Sequence, residues 1–263
     1  MRLGIIYSTL KLPILYRQRF MSLIKEALGK SDFHYKKTLY PDEAVEKSKI
    51  AKPFCFSISM PKEKTIKKEK IVIDEGIEIE DIVFYFPEES YINFYISSHD
   101  YQFIVNLYNG LLKIKEFKFG NGIALKLNRI FMLNERRILN DEVIFKTKSP
   151  ILIEDLKENP ILPIDSDIEY FNEQFNAIHH RILKDIRGEG LKRNLAFYSL
   201  KIKKQVVKHT LKGFREKTSK PYMMLTCFEG CFKLKGEPED LQMLYQIGIG
   251  LRTGQGFGMV EVV

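Results

Sequence analysis

The chain has 263 residues, 44% of them hydrophobic and 29% charged, which is enough apolar material for one large or two small globular domains. Forty-two Lys and Arg against 34 Asp and Glu give a formal net charge of +8, so the surface favours a polyanion, while simple solubility or an acidic lipid surface would carry the same charge. No apolar run reaches the length of a bilayer span, which excludes a helical membrane protein.

Met1 to Tyr7 (Met-Arg-Leu-Gly-Ile-Ile-Tyr) reads as a first strand and lacks the apolar core and cleavage site of a secretory leader. Three cysteines, Cys55, Cys227 and Cys231, cannot all pair, so a reducing cytoplasm is the expected compartment. Phe20, Leu23, Ile24, Ala27 and Leu28 recur at helical spacing, with Gly29 as the expected stop. A polar, lysine-rich stretch leads to strand patterns at 52–60, 71–73, 82–86 and 91–96. The Lys62–Lys70 run reads as a solvated hairpin tip. Ser98 or Asp100 is placed to cap a second helix carrying Phe103, Leu107, Tyr108 and Leu111. Two further strands flank Gly120-Asn121-Gly122, and 134–141 reads as a polar linker.

The order strand, helix, strands, helix, strand then repeats. A strand at 142–153 is interrupted by Pro150. A long helix follows, with Ile168, Phe171, Phe175, Ile178 and Ile182 on one face, Asp165 or Ser166 at its start and Gly188 at its end. That apolar strip could face the core or a second copy of the chain. Strands at 196–210 and 223–235, a helix over 240–245 and a terminal strand complete the set. The simplest architecture is α+β: two tandem ferredoxin-like domains, residues 1–136 and 141–263.

Between the last helix and the last strand lies Gly248-Ile249-Gly250-Leu251-Arg252-Thr253-Gly254-Gln255-Gly256-Phe257-Gly258, with five of the sixteen glycines. The order is wrong for a dinucleotide fingerprint, and no Gly-Lys-Ser/Thr closes it as a P-loop. Two readings stay open: backbone N–H groups of Gly248, Gly250, Gly254 and Gly256 offered to a phosphate, or a tight helix-to-strand turn with a glycine bulge.

This loop, Lys52-Pro53-Phe54-Cys55-Phe56-Ser57, Thr147-Lys148-Ser149-Pro150-Ile151, and Leu12-Pro13 followed by Tyr16 and the helix with Leu23-Ile24 stand in an order that resembles the sixth CRISPR-associated (Cas) family, endoribonucleases that cut CRISPR repeat RNA. Cys55 takes the place of a threonine in that family's strand motif. The resemblance implies two RNA-recognition-like domains and cleavage without a metal or other cofactor. The RNA's own 2′-hydroxyl would attack, leaving a 2′,3′-cyclic phosphate and a 5′-hydroxyl.

Such a reaction needs one group to take the 2′-OH proton, another to protonate the leaving oxygen, and a cation on the phosphorane. His34 falls where the family's catalytic histidine sits, and is otherwise a surface histidine in a basic loop. Lys52 matches the family's strand lysine, and is otherwise a solvent-facing residue at a strand start. Lys25 stands where some members have a tyrosine base; Tyr35 and Tyr40 are further substitutes. Cys227 and Cys231 share a strand face but have no second ligand pair, so no metal site is expected. His179 and His180, adjacent on the long helix, form no dyad; both read as structural or solvent-facing. His209 is placed to touch RNA.

The segment 191–220 is strongly basic. Lys192, Arg193, Lys201, Lys203, Lys204 and Lys208 are expected to line a hairpin face that takes RNA phosphates, continued by Arg252 and the glycine loop. A solvated lysine face is the alternative. The expected partners are CRISPR repeat RNA, as precursor and product, and an effector complex that receives it, with the protein a monomer or homodimer. The rival functions are an inactive repeat-binding subunit and an enzyme that binds a small nucleotide at the glycine loop.

Overall fold

The computed structural model describes residues 1–41, 51–74 and 76–263. Alternating apolar residues make β1 (Arg2–Ser8) the centre of the first sheet. Leu3, Ile5 and Tyr7 enter one hydrophobic core with α1 (Arg17–Ser31) and α3 (Tyr101–Leu112). With β3 (Phe54–Ser59), β6 (Tyr91–Ser98), β7 (Glu116–Gly120) and β8 (Ile123–Leu133), the sheet order is β3-β6-β1-β8-β7, all antiparallel. Short β2 (Lys11–Pro13) and the arm of β4 (Thr65–Asp74) and β5 (Ile77–Tyr85) form a separate three-stranded sheet.

The second half repeats the plan. The strands β9 (Glu142–Thr147), β10 (Ala196–His209), β11 (Met223–Lys235) and β12 (Val260–Val262) lie in the order β12-β9-β11-β10, with α4 (Ile168–Arg187) and α6 (Pro238–Ile247) as crossovers. In both sheets the last strand of the βαββαβ unit neighbours the first, then the third, then the second. The chain therefore has two tandem ferredoxin-like folds. Between them, Glu135 binds the N-terminal ammonium of Met1 at 2.7 Å.

Several boundaries differ from the sequence reading. Gly29 does not stop α1. The break comes at Asp32, whose extended backbone ends α1 while its carboxylate accepts from Tyr35 N–H, capping a short α2 (Phe33–Leu39). The Lys62–Lys70 run is mostly the body of β4, not a tip. Asp100 caps α3. For α4 the cap is Asp167, rather than Asp165 or Ser166. The strip Phe171, Phe175, Ile178 and Ile182 faces the second core, so it is not open to a partner. A short α5 (Lys212–Thr218) joins β10 to β11.

The first core depends on one close helix crossing. A Cβ on Gly110 in α3 would lie 1.8 Å from the Ala27 carbonyl oxygen in α1. In an ordinary helix Gly→Ala stabilises by about 0.5–1 kcal/mol. Here the backbone contact reverses the sign, and Gly110→Ala is expected to destabilise by about 1–3 kcal/mol, measured by the denaturant midpoint.

Candidate functional site

The glycine loop is where the two halves meet. The segment 148–152 stitches it from one side. Ser149 Oγ accepts from Met259 N–H at 2.9 Å, Pro150 O from Gly258 N–H at 2.8 Å, and Leu152 O from Leu251 N–H at 2.8 Å. On the other side lies β3, the marginal strand of the first sheet. A Cβ on Gly254 would come within 3.0–3.3 Å of Lys52 and Phe54, and one on Gly256 within 2.8 Å of Phe56. Backbone without side chains lets the loop seat on that strand. Phe257 anchors it in a small apolar cluster with Val207, Leu225 and Cys227.

This packing revises the anion reading of the glycines. Gly248, Gly250, Gly254 and Gly256 are all buried. The N–H of Gly248 goes to Leu244 O, that of Gly256 to Thr253 O, and that of Gly250 to His179 Nε2 at 2.9 Å. These three donors are used internally, so the loop is not an open phosphate cradle. The rival small-nucleotide site loses its basis with them. His179 is wholly buried; since Nε2 accepts, its proton sits on Nδ1, facing Phe175 O at 2.7 Å. His209 is likewise buried, with Nε2 2.9 Å from Gln255 Oε1, so it does not lie on a surface that RNA could touch. His180 faces solvent.

Beside the loop, three of the candidate residues converge. Lys25 of α1 sits over the Tyr40 ring at 4.7 Å and Lys52 over it at 5.0 Å, while Lys52 Nζ donates to the Leu39 carbonyl at the end of α2. Burial lowers the pKa of both amines; the charge of Lys36 lowers Lys25 further, and that of Lys25 lowers Lys52. Burial raises the Tyr40 phenol well above its ordinary value. Tyr35 is raised too, by burial and by its hydrogen bond to Asp100 at 2.5 Å. Neither tyrosine is therefore suited to act as a base near neutral pH. His34 is exposed in the first turn of α2, at the opposite end from Leu39. Among the described residues its ring meets one other ring, that of Phe33.

The basic segment does not form one face. By strand alternation Lys203 shares a face with Val207 and His209, while Lys204 and Lys208 point the other way. Lys192 pairs with Glu239, and Arg193 with Gly236 O and Asp141, beyond the start of β10. Lys203 pairs with Glu229 at 3.4 Å. Lys208 binds both oxygens of the buried Asp81 at 2.7 Å, tying β10 to β5. Lys201 and Lys204 are exposed. Arg252 is half-buried in a left-handed conformation in the middle of the loop, just before the short turn Thr253–Gln255.

Two cations escaped the sequence reading. Arg17 lies between the Tyr16 and Phe257 rings, at 4.9 and 5.1 Å, with Nε 3.4 Å from Gly256 O. Lys148 sits over the Tyr95 ring at 4.9 Å. Both line a cleft of about 90 Å³ between the halves, together with Ser149, Glu229 and Gly256. One signal for Arg17 was available: α1 opens with Arg17 and Arg19 and no acid, against the usual dipole preference.

The family model for the C-terminal part of the CRISPR-associated protein Cas6 matches residues 133–262. A CRISPR-associated endoribonuclease Cas6 of Methanocaldococcus jannaschii is 30% identical over 211 residues, 79% of this chain and 72% of that protein. A putative CRISPR-associated endoribonuclease-like Cas6 protein of Pyrococcus furiosus is 26% identical, over 75% of this chain and 76% of its own length. Among solved structures, a RAMP protein described as binding different RNA substrates superimposes with a TM-score of 0.71 at 23% identity, covering 100% of this chain and 99% of that one. A Cas6-related protein from Pyrococcus furiosus gives the same TM-score and identity, with 100% and 98% covered. Those two likenesses are of fold.

The buried histidines set an acid limit on this site. Unfolded, each imidazole titrates near 6.5; folded, burial pulls His179 down to about 4 and His209 down to about 3. The unfolded chain therefore takes up protons that the folded chain refuses. Their contribution to stability is complete above about pH 6.5 and is lost as pH falls, toward about 4 for His179 and about 3 for His209. The denaturant midpoint should fall through this window, and less steeply in the H179Q/H209Q double variant.

Proposed function

Since the chain belongs to the Cas6 family of CRISPR-associated endoribonucleases, we propose that it cleaves CRISPR precursor RNA within its repeats, without a metal, by attack of the 2′-hydroxyl on the adjacent phosphate. The halves 1–136 and 141–263 act as two RNA-binding domains, with the reaction carried by the first. The observation that carries this reading is the convergence of Lys25 and Lys52 on Tyr40, beside the glycine loop. Two amines held close together in partial burial can divide their roles, one charged against the phosphorane and one able to take a proton.

In this reading Lys52 stabilises the phosphorane. His34 and Lys25 move the two protons, one from the 2′-OH and one to the leaving 5′-oxygen. Tyr40 orients both lysines through its ring. Backbone phosphates run over Arg17 and Lys148 and the exposed Lys201 and Lys204. Lys203, Lys208, Lys192, Arg193 and Arg252 lend long-range positive potential rather than direct contacts, because most of them already hold partners. Cut RNA then stays bound, ready for transfer to a CRISPR effector complex.

A second reading rests on a specific observation. Lys52 Nζ is already engaged with Leu39 O, and among the described residues no hydrogen bond fixes the His34 ring. The same surface would then bind repeat RNA without cutting it.

Incubation with end-labelled repeat RNA in excess chelator separates the two. The expected result is cleavage leaving a 2′,3′-cyclic end, with His34→Ala and Lys52→Ala each slowing it by about 10²-fold or more while binding is kept. Tight binding with no product supports the second reading. Full activity in His34→Ala would leave Lys25 as the proton-transfer group and remove His34.

A further inference from the structure

The cleft between the halves holds one acid beside its cations. Its volume is about 90 Å³, far below the roughly 300–1,000 Å³ of a pocket that takes a free small molecule. Arg17 and Lys148 line it, Tyr16, Ile58 and Pro150 give it apolar walls, and Glu229 of β11 supplies a carboxylate. Strand alternation sets Glu229 on the face of Cys227, which packs with Phe257 of the glycine loop. The next residue back, Phe228, points the other way into the second core.

The hairpin is bent beside this acid. β10 carries an extra residue between Ser199 and Lys201, and across from it Gly230 has φ +142°, where a Cβ would fall 1.8 Å from Lys201 O. Bulges of this kind re-aim neighbouring side chains and recur beside functional sites. Lys203 pairs with Glu229 at 3.4 Å, but the lysine is 71% exposed and the glutamate 28%. A pair that open to water adds little stability. It accounts for how the carboxylate is held, not for why an acid faces a cleft that takes phosphates. A carboxylate there repels RNA unless it meets a hydrogen-bond donor, and on RNA the donors of a single strand are on the base edges.

We propose that Glu229 reads a guanine of the bound RNA at its Watson–Crick edge and so sets the sequence preference of the cleft. The inference rests on the RNA-binding role argued above. A carboxylate only accepts hydrogen bonds. Guanine alone among the four bases presents two adjacent donors on that edge, N1–H and the 2-amino group. Adenine and cytosine each set an amino group beside a bare ring nitrogen, and uracil sets one N–H between two carbonyls. Each of those places a lone pair against the carboxylate, which rejects the base rather than merely failing to bind it. Lys203 stays on Oε2 and orients the group, since each carboxylate oxygen accepts more than one bond. The apolar walls exclude water from the pairing, while Arg17 and Lys148 hold the flanking phosphates. The small volume suits one splayed base of a strand whose backbone stays outside.

Fluorescence anisotropy on labelled oligouridine strands tests this, each strand carrying one guanine, inosine, adenine or cytosine at the same place. The wild type should bind the guanine strand about tenfold tighter than the adenine or cytosine strand, with inosine, which lacks the 2-amino group, in between. E229A should lose this preference and bind all-uridine RNA no more weakly than the wild type. The E229Q amide accepts once and donates once, so its preference should move to adenine. Equal binding of all four strands by the wild type overturns the proposal, as does an E229A variant that keeps the guanine preference. If a variant loses its circular dichroism, the wild-type ranking with inosine decides alone. The cleavage reading fails separately, when repeat RNA gives no product while the guanine preference stands. A chain that binds none of the strands overturns both.

Discussion

Backbone stripped of side chains holds the two halves of this molecule in place. From Gly248 to Gly258 the chain passes between the Ser149-Pro150 segment and the marginal strand of the first sheet, at distances that leave no room for a Cβ at several positions. Gly258 shows how strict the demand is: its φ is +73°, and a Cβ there would fall 2.2 Å from the Ile249 carbonyl oxygen. With this seat made, Lys52, Arg17 and Lys148, which come from three separate stretches of sequence, lie around one loop. Without it they would belong to two unrelated surfaces.

A second tie acts at the opposite side of the interface. Arg2 is 1% exposed, and its guanidinium reaches Tyr245 Oη at 2.6 Å, Val260 O at 2.6 Å and Glu261 at 3.0 Å. Burying a guanidinium costs several kcal/mol unless its donors are satisfied; here acceptors of the second half take Nη1 and Nη2, while Nε finds no partner among the described residues. The arms add a third junction: Lys208 meets Asp81, and the buried Arg215 meets Asp74 and Thr210. Part of the positive charge is thus engaged in internal ties and does not face an external polyanion.

The fate of individual residues shows what a linear reading can hold. The repeated order of strand and helix was legible because apolar periodicities of 2 and 3.6 are local, and Asp100 and Gly188 marked helix ends by short-range chemistry. Lys25, Lys52 and Tyr40 were identifiable as candidates, but that all three share one ring depends on α1, α2 and the approach to β3 meeting in space. The burial of His209, and the choice between the two readings of the four loop glycines, were out of reach for the same reason: a basic strand and a glycine run look exposed in sequence. Burial is decided by partners such as Gln255, His179 and Phe56, from 46 to about 200 residues away in the chain.

Sequence alone determined the two-part α+β plan and the family resemblance, because each depends on composition, local periodicity or a motif written along one stretch. Tertiary structure alone decided which cations are held by partners, which histidines are buried and neutral, and which of the loop's N–H groups are used internally. Those properties depend on desolvation and pairing between distant segments, and no local pattern encodes either.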